Sequence, residues 1–204
     1  IRKHEMMNAG KIIGIRNFYF LDQKDNNFTL DVNEVFKGLW DIDYVKRRLN
    51  EIVSQGNYQY IFTLLPTTGT HGHHKGATIL ALETVKSLPA EKRPVILGCQ
   101  LLNKDTKFEF QELEGFPITK IKKDAPVFSF DRTQKLGFRD NLTYKIIANW
   151  LIAEHKSQGL LQMGMSMGEL ERFWFYDIND AAKIAATESL FKQLTVVTFK
   201  KREY

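Results

Sequence analysis

Three of the five histidines in this 204-residue chain fall within four positions, in the run Thr70-His71-Gly72-His73-His74-Lys75-Gly76. Imidazole nitrogen is a preferred zinc donor and the commonest proton-transfer group near neutral pH, so this run has the chemistry of a metal or acid/base site. His71 and His74 stand three residues apart, and one helical turn can aim both rings at a single point. The run follows an apolar stretch closed by Pro66 and opens a helical pattern. Open α/β sheets build their sites at the carboxyl ends of strands, where such junctions lie. A helix N-terminus also disfavours the protonated ring, which cannot bind metal. Isolated histidines are mostly structural, and an expression-tag remnant would sit at a chain end. A cluster inside the chain at a strand-to-helix junction favours the metal or catalytic reading.

Two competing motifs fail on spacing. A metallo-β-lactamase signature needs His-x-His-x-Asp-His; His71 and His73 fit, but Lys75 and Gly76 occupy the Asp and His places. A phosphate-binding loop ends in Gly-Lys-Ser/Thr, whereas the order here is Lys75-Gly76-Ala77.

The elements that must position the cluster are legible on either side of it. Arg2 to Ile13 carries Met6, Ala9 and Ile13 at helical spacing and stops at Gly14. Phe18 to Leu21 reads as a short strand, and residues 22 to 34, with Asp22, Asp25, Asn26 and Asn27, as a loop. From Asp43 to about Gly56, the set Val45, Leu49, Ile52 and Val53 marks an amphipathic helix. Tyr58 to Leu65 is aromatic and β-branched, the composition of a buried strand. A helix is expected over 72–88, a strand over 94–99, and irregular structure over 100–130. Further helices are expected over 140–155 and 180–194, and a closing strand over 195–199. The alternation of helix and strand predicts an α/β fold with a mostly parallel sheet flanked by helices. No repeat, low-complexity tract or linker interrupts it, so residues 1–204 read as one domain.

Bulk properties exclude several classes. Hydrophobic residues make up 43% and charged residues 26%, the balance of a globular domain. The formal charge of +5 is spread in pairs such as Arg47-Arg48 and Lys122-Lys123, without the aromatic interleaving of a nucleic-acid groove. The lone cysteine, Cys99, excludes an internal disulfide and a Cys-rich zinc site, and its apolar neighbours make it a small core residue. No apolar run has membrane-spanning length. The compartment stays open between cytoplasmic and secreted.

With these features in order, the sequence resembles the PIG-L or LmbE-like family of N-acetylglucosaminyl deacetylases. Arg2, Glu5, Ala9 and Gly14 resemble that family's Arg/Glu-bearing helix and its closing turn. His71-Gly72-His73-His74 matches its His-x-x-His motif, commonly His-Pro-Asp-His, and His155-Lys156-Ser157-Gln158 resembles a late His-x-Ser/Thr-Gln element. The match runs from about residue 2 to residue 160. It implies a Rossmann-like sheet and one catalytic zinc.

By that resemblance, His74 is a zinc ligand, and His71 is the general acid or the group that stabilises the tetrahedral oxyanion. His73 stands where the family usually has an aspartate that orients a neighbouring ring. Arg2, Glu5, His155 and Gln158 are weaker candidates for substrate contact; Asp22 and Asp25 could meet sugar hydroxyls, although turn formation explains them as well. Trp150, Phe173 and Trp174 could stack on a sugar, but at such spacing aromatics are more often core. The family's His-Pro-Asp-Asp-Glu type motif, which supplies two further zinc ligands and the carboxylate base, is absent from the sequence. Three protein ligands plus water is the usual catalytic arrangement, so the first strand and its ligands are expected from a missing N-terminal segment, and the chain alone is expected to be inactive.

The function so implied is metal-assisted hydrolysis of the acetyl amide of an N-acetylated sugar. The partner is then a small-molecule sugar substrate, with no nucleic acid, no membrane span and a possible homo-oligomer. Two alternatives remain at this point: an amidase for non-sugar acyl groups, and a non-catalytic sugar-binding or interaction protein.

Overall fold

The computed structural model describes residues 1–195, the side chain of Phe138 excepted. Its centre is a four-stranded sheet built from β1 (Tyr60–Leu64), β2 (Val95–Leu102), β3 (Phe128–Asp131) and β6 (Leu170–Phe175), in the order β1-β2-β6-β3. A separate two-stranded ribbon joins β4 (Lys135–Leu136) to β5 (Leu142–Thr143). The helices are α1 (Arg2–Ile12), α2 (Ile42–Gly56), α3 (Gly72–Ser87), α4 (Tyr144–Glu154), α5 (Gly159–Gln162) and α6 (Ile184–Thr195).

The expected α/β class is found, but the expected mostly parallel sheet is not. β1 and β2 pair in parallel, whereas β6 runs antiparallel to both β2 and β3. A parallel pair needs a crossover that returns the chain to the same end of the sheet. α3 supplies it between β1 and β2. No helix does so directly after β2; α4 packs on α1, and the chain re-enters the sheet in the opposite sense.

Alternation along the two central strands sorts the core into two layers. Ile96 of β2, with Trp174 of β6 and Tyr176 just past its end, joins Leu82 and Val85 of α3 on one face. Val95 and Leu97, with Phe173 and Phe175, join Phe191 of α6 on the other. Burying an aliphatic or aromatic side chain of this size contributes about 1.5–3 kcal/mol, so these two layers dominate the stability. Gly98 lies where β2 passes Tyr176: a Cβ there would sit 2.4 Å from the Tyr176 hydroxyl and 2.6 Å from Leu65 Cδ1. The aromatic run ending in Tyr176 therefore requires a glycine opposite it.

The helix ends follow local chemistry. The Asp41 carboxylate accepts from Tyr44 N–H at 3.0 Å and starts α2, and Asn57 closes it in the left-handed conformation at φ 47°. Asp180 starts the last helical segment by accepting from Ala182 N–H at 2.9 Å. Thr143 Oγ1 accepts from Ile146 N–H at 3.4 Å at the head of α4.

Several expectations need correction. Phe18–Leu21 forms no strand, because among the described residues it has no ladder partner to complete its backbone hydrogen bonds. β6, a central strand, was not foreseen. Phe173 and Trp174 lie on it as buried core residues, while Trp150 is exposed. Of the expected closing strand over 195–199, Thr195 ends α6 and the remainder lies outside the described residues. Cys99 is half-buried on β2, where burial pushes its thiol up to about 12, so it is chemically inert at neutral pH.

Candidate functional site

His71 is the N-cap of α3, directly after the loop that leaves β1. Its Nδ1 accepts from the His73 backbone N–H at 3.3 Å. An Nδ1 that accepts leaves the neutral ring's proton on Nε2, so His71 is a hydrogen-bond donor from its outer nitrogen. The loop behind it is held by two threonines. Thr70 Oγ1 donates to Leu65 O at 2.8 Å and accepts from Thr67 N–H at 3.1 Å, and the two hydroxyls lie 2.9 Å apart. A cavity of about 370 Å³ opens there, at the carboxyl ends of β1 and β2, lined by Thr67, Gly69, Thr70, His71, His74 and Gln100.

The three imidazoles do converge. The His71 ring centroid is 4.6 Å from that of His73 and 5.3 Å from that of His74. His74 faces solvent, yet partial desolvation first, and then its two histidine neighbours, hold its pKa below the ordinary value. This shift favours the neutral imidazole, the form that can donate to a metal. His73 is only 5% exposed. Its Nδ1 lies 3.6 Å from Asp25 and its Nε2 3.9 Å from Glu34, with no hydrogen-bond partner on Nε2 among the described residues.

A wall of residues from 23 to 41 covers His73, and polar side chains fix its path. Gln23 Oε1 accepts from Asp41 N–H at 2.8 Å, Trp40 Nε1 donates to Lys24 O at 2.9 Å, and Asn26 Nδ2 donates to Glu34 at 2.7 Å. The Trp40 ring sits 5.7 Å from His73, and Phe28 sits 5.1 Å from His71. Lys75, only 3% exposed, clamps this wall to the helix by donating to Leu30 O at 2.9 Å and Thr68 O at 3.0 Å. Gly72 N–H adds a bond to Thr29 O at 2.8 Å, and a Cβ on Gly72 would lie 2.4 Å from Asp31 O.

The outer candidates separate into two groups. Arg2 pairs with Asp25, and this contact is the first cause that keeps the Asp25 carboxyl below its ordinary range. Arg2 thus reaches the cluster through Asp25 rather than by facing the cavity. Asp22 pairs with Lys3. Glu5 is buried and accepts from both Ser157 N–H and Ser157 Oγ at 2.7 Å, which fastens α1 to the chain after α4. His155 caps the end of α4, its Nδ1 buried without a hydrogen-bond partner among the described residues, and Gln158 donates its backbone N–H to His155 O at 3.0 Å. Neither His155 nor Gln158 lines the His71–His74 cavity.

Glu5 gives a testable pH dependence. The hydrogen bonds from Ser157 lower its pKa, so the clamp stabilises fully above the unfolded carboxylate's pKa and is lost as pH falls through the lowered folded value. Glu5→Gln is expected to remove that acid-side loss. Thermal melts from pH 7 down through the carboxylate range should lose more stability in the parent than in Glu5→Gln; parallel curves would deny the clamp its role.

The donor set for zinc does not close within these residues. His74 meets the requirements of one ligand, but among the described residues no group of three His, Cys, Asp or Glu side chains is arranged to hold a metal ion. Glu34, Trp40 and Lys75 went unrecognised in the sequence. Lys75 alone left a trace there, as a lysine inside the histidine run that no acidic neighbour explains.

No family model matches the chain, and no solved structure matches it. Over 96 residues it is 28% identical to a probable N-acetyl-alpha-D-glucosaminyl L-malate deacetylase 2 of Bacillus cereus. The chain is similar to a sugar deacetylase. The matched stretch is 47% of this chain and 40% of that protein, so the chain spans under half the length of this relative. This similarity agrees with the expected class of activity, a deacetylase-type hydrolase.

Proposed function

We propose that this chain carries part of the active site of a PIG-L or LmbE-like deacetylase acting on the acetyl amide of an N-acetylglucosamine-type substrate. The observation that carries the reading is His71. It is fixed as an N-cap with Nδ1 occupied, and it sits beside His74 at the carboxyl end of β1. The fixed tautomer suits a group that donates from Nε2 to an amide oxygen as negative charge develops there. The same proton can pass to the departing amine, which must leave protonated. His73, packed among Trp40, Asp25 and Glu34, holds the N-terminal turn of α3 and with it the His71 ring. The similarity to a named deacetylase supports the reaction class.

Zinc belongs to this reading as a proposal, with His74 as one ligand. The reading requires further ligands and a carboxylate base, which the described residues do not group around His74.

The test is zinc content and acetate release, measured on the 204-residue chain and on the protein from the complete reading frame. The substrates are an N-acetylglucosamine conjugate and a simple N-acetyl amide. The longer protein is expected to hold about one zinc per chain and to release acetate from the sugar, and the short chain to do neither. Equal turnover of the simple amide would replace the sugar specificity with a general amidase. A longer protein without zinc or acetate release would leave a binding module and end the enzyme reading.

A further inference from the structure

A second cavity lies at the opposite end of the sheet from the histidines. It encloses about 730 Å³ between the end of α2, the amino ends of β1 and β2, and the start of α6. Tyr60 opens β1 there and Leu64 ends that strand beside the histidine cavity, so roughly 13 Å of strand separates the two. This cleft takes no part in the function proposed above.

Its charge is one-sided. Lys92, Arg93 and Lys183 line it against a single acid, Glu91. None of these three cations makes an ion pair among the described residues. Two of them are held in place by neutral acceptors instead. Arg93 donates from Nε to Leu88 O at 2.8 Å and from Nη2 to Lys86 O at 2.7 Å, which sets the plane of its guanidinium and leaves Nη1 without a partner among the described residues. Lys183 is drawn to the same place by a hydrogen bond to Arg93 O. Backbone carbonyls orient a cation without neutralising it, so the positive charge stays available to a ligand. A preorganised guanidinium loses less freedom per hydrogen bond formed than a mobile side chain. The rest of the lining suits an organic body rather than a bare ion: Tyr58 and Tyr60, with Val53, Leu88 and Val95. A volume in this range holds a small metabolite.

We propose that this cleft is a second binding site, for a small organic anion that carries a phosphate or carboxylate. The anion contacts Arg93 Nη1 and Lys92, and the body packs against the tyrosines. Because the cleft touches the amino ends of both parallel strands and the first turn of α6, a bound anion joins α2, β2 and α6.

The test is calorimetric titration of the full-length protein with three probes: adenosine monophosphate, citrate and inorganic phosphate. Titrations at low salt and at 0.15 M salt separate site binding from diffuse attraction, because exposed charges are screened beyond about 8 Å at the higher salt. Lys92→Glu reverses a charge at the rim without touching the bonds that hold Arg93. Lys107→Glu, at an exposed position elsewhere, makes the same change in net charge. Saturable binding of one adenosine monophosphate or citrate per chain is expected. It should survive 0.15 M salt, exceed phosphate in affinity, and weaken about tenfold or more in Lys92→Glu but not in Lys107→Glu. A preference for adenosine monophosphate or for citrate identifies the anionic group. Absence of saturable binding with every probe would overturn the proposal. So would equal weakening in the two variants, or binding of phosphate as tight as that of the organic anions.

Discussion

His71→Asn in the complete protein should lower kcat for deacetylation by about 10²–10³-fold and leave KM and the melting temperature nearly unchanged. Asparagine is the informative replacement. His71 serves α3 as its N-cap through Nδ1, and asparagine is among the best N-cap residues. The cap survives while the imidazole donor is lost. Alanine would remove both and mix a cap loss of about 1 kcal/mol with the chemical effect. Loss of a single preorganised oxyanion donor is worth about 10²–10³ in kcat in other hydrolases. His74 stays in place, so metal content should be unchanged. Steady-state kinetics, metal analysis and a thermal melt on the same preparation check all parts. An unchanged kcat with an intact fold would remove His71 from the chemistry and leave it a helix cap.

Asn179→Ala should cost about 2–5 kcal/mol, among the largest losses available from a single polar side chain here. Asn179 is 7% exposed, accepts from Ile96 N–H at 2.9 Å and donates to Ile96 O at 2.8 Å. It thus takes the place of a neighbouring strand just where β6 has turned away, since the β2–β6 ladder begins only at Leu97 and Phe175. Alanine would leave a buried donor and a buried acceptor of a central strand without partners. Each costs about 1–3 kcal/mol when left unmet. For a chain of this size the loss corresponds to a fall in Tm of roughly 5–15 °C. Chemical denaturation with an unchanged m-value would attribute it to the folded state. A loss below about 0.5 kcal/mol would show that water replaces the amide.

Local patterns were legible in the sequence because they depend on nearest neighbours. The amphipathic spacing of α2, the turn formers after Leu21, and the strand-to-helix junction that carries His71 and His74 needed no tertiary information. The resemblance that assigned roles to those histidines rested on the same local run. β6 was harder to foresee: a strand buried on both faces lacks the alternation that marks a half-exposed one. Phe18–Leu21 shows the converse, since strand-like composition yields a strand only where a partner completes the ladder.

What the sequence determined by itself was the α/β class, most of the helices, and the convergence of His71 and His74, because helical geometry joins residues three apart. What only the tertiary structure decided was the sense of each strand, the wall of Asp25, Glu34 and Trp40 around His73, and the contrast between the two ends of the sheet. It also showed that Glu5 is committed to Ser157, a partner 152 residues away. These depend on which distant segments share a boundary, and that follows from burying two apolar faces of one sheet at once rather than from any single stretch of sequence.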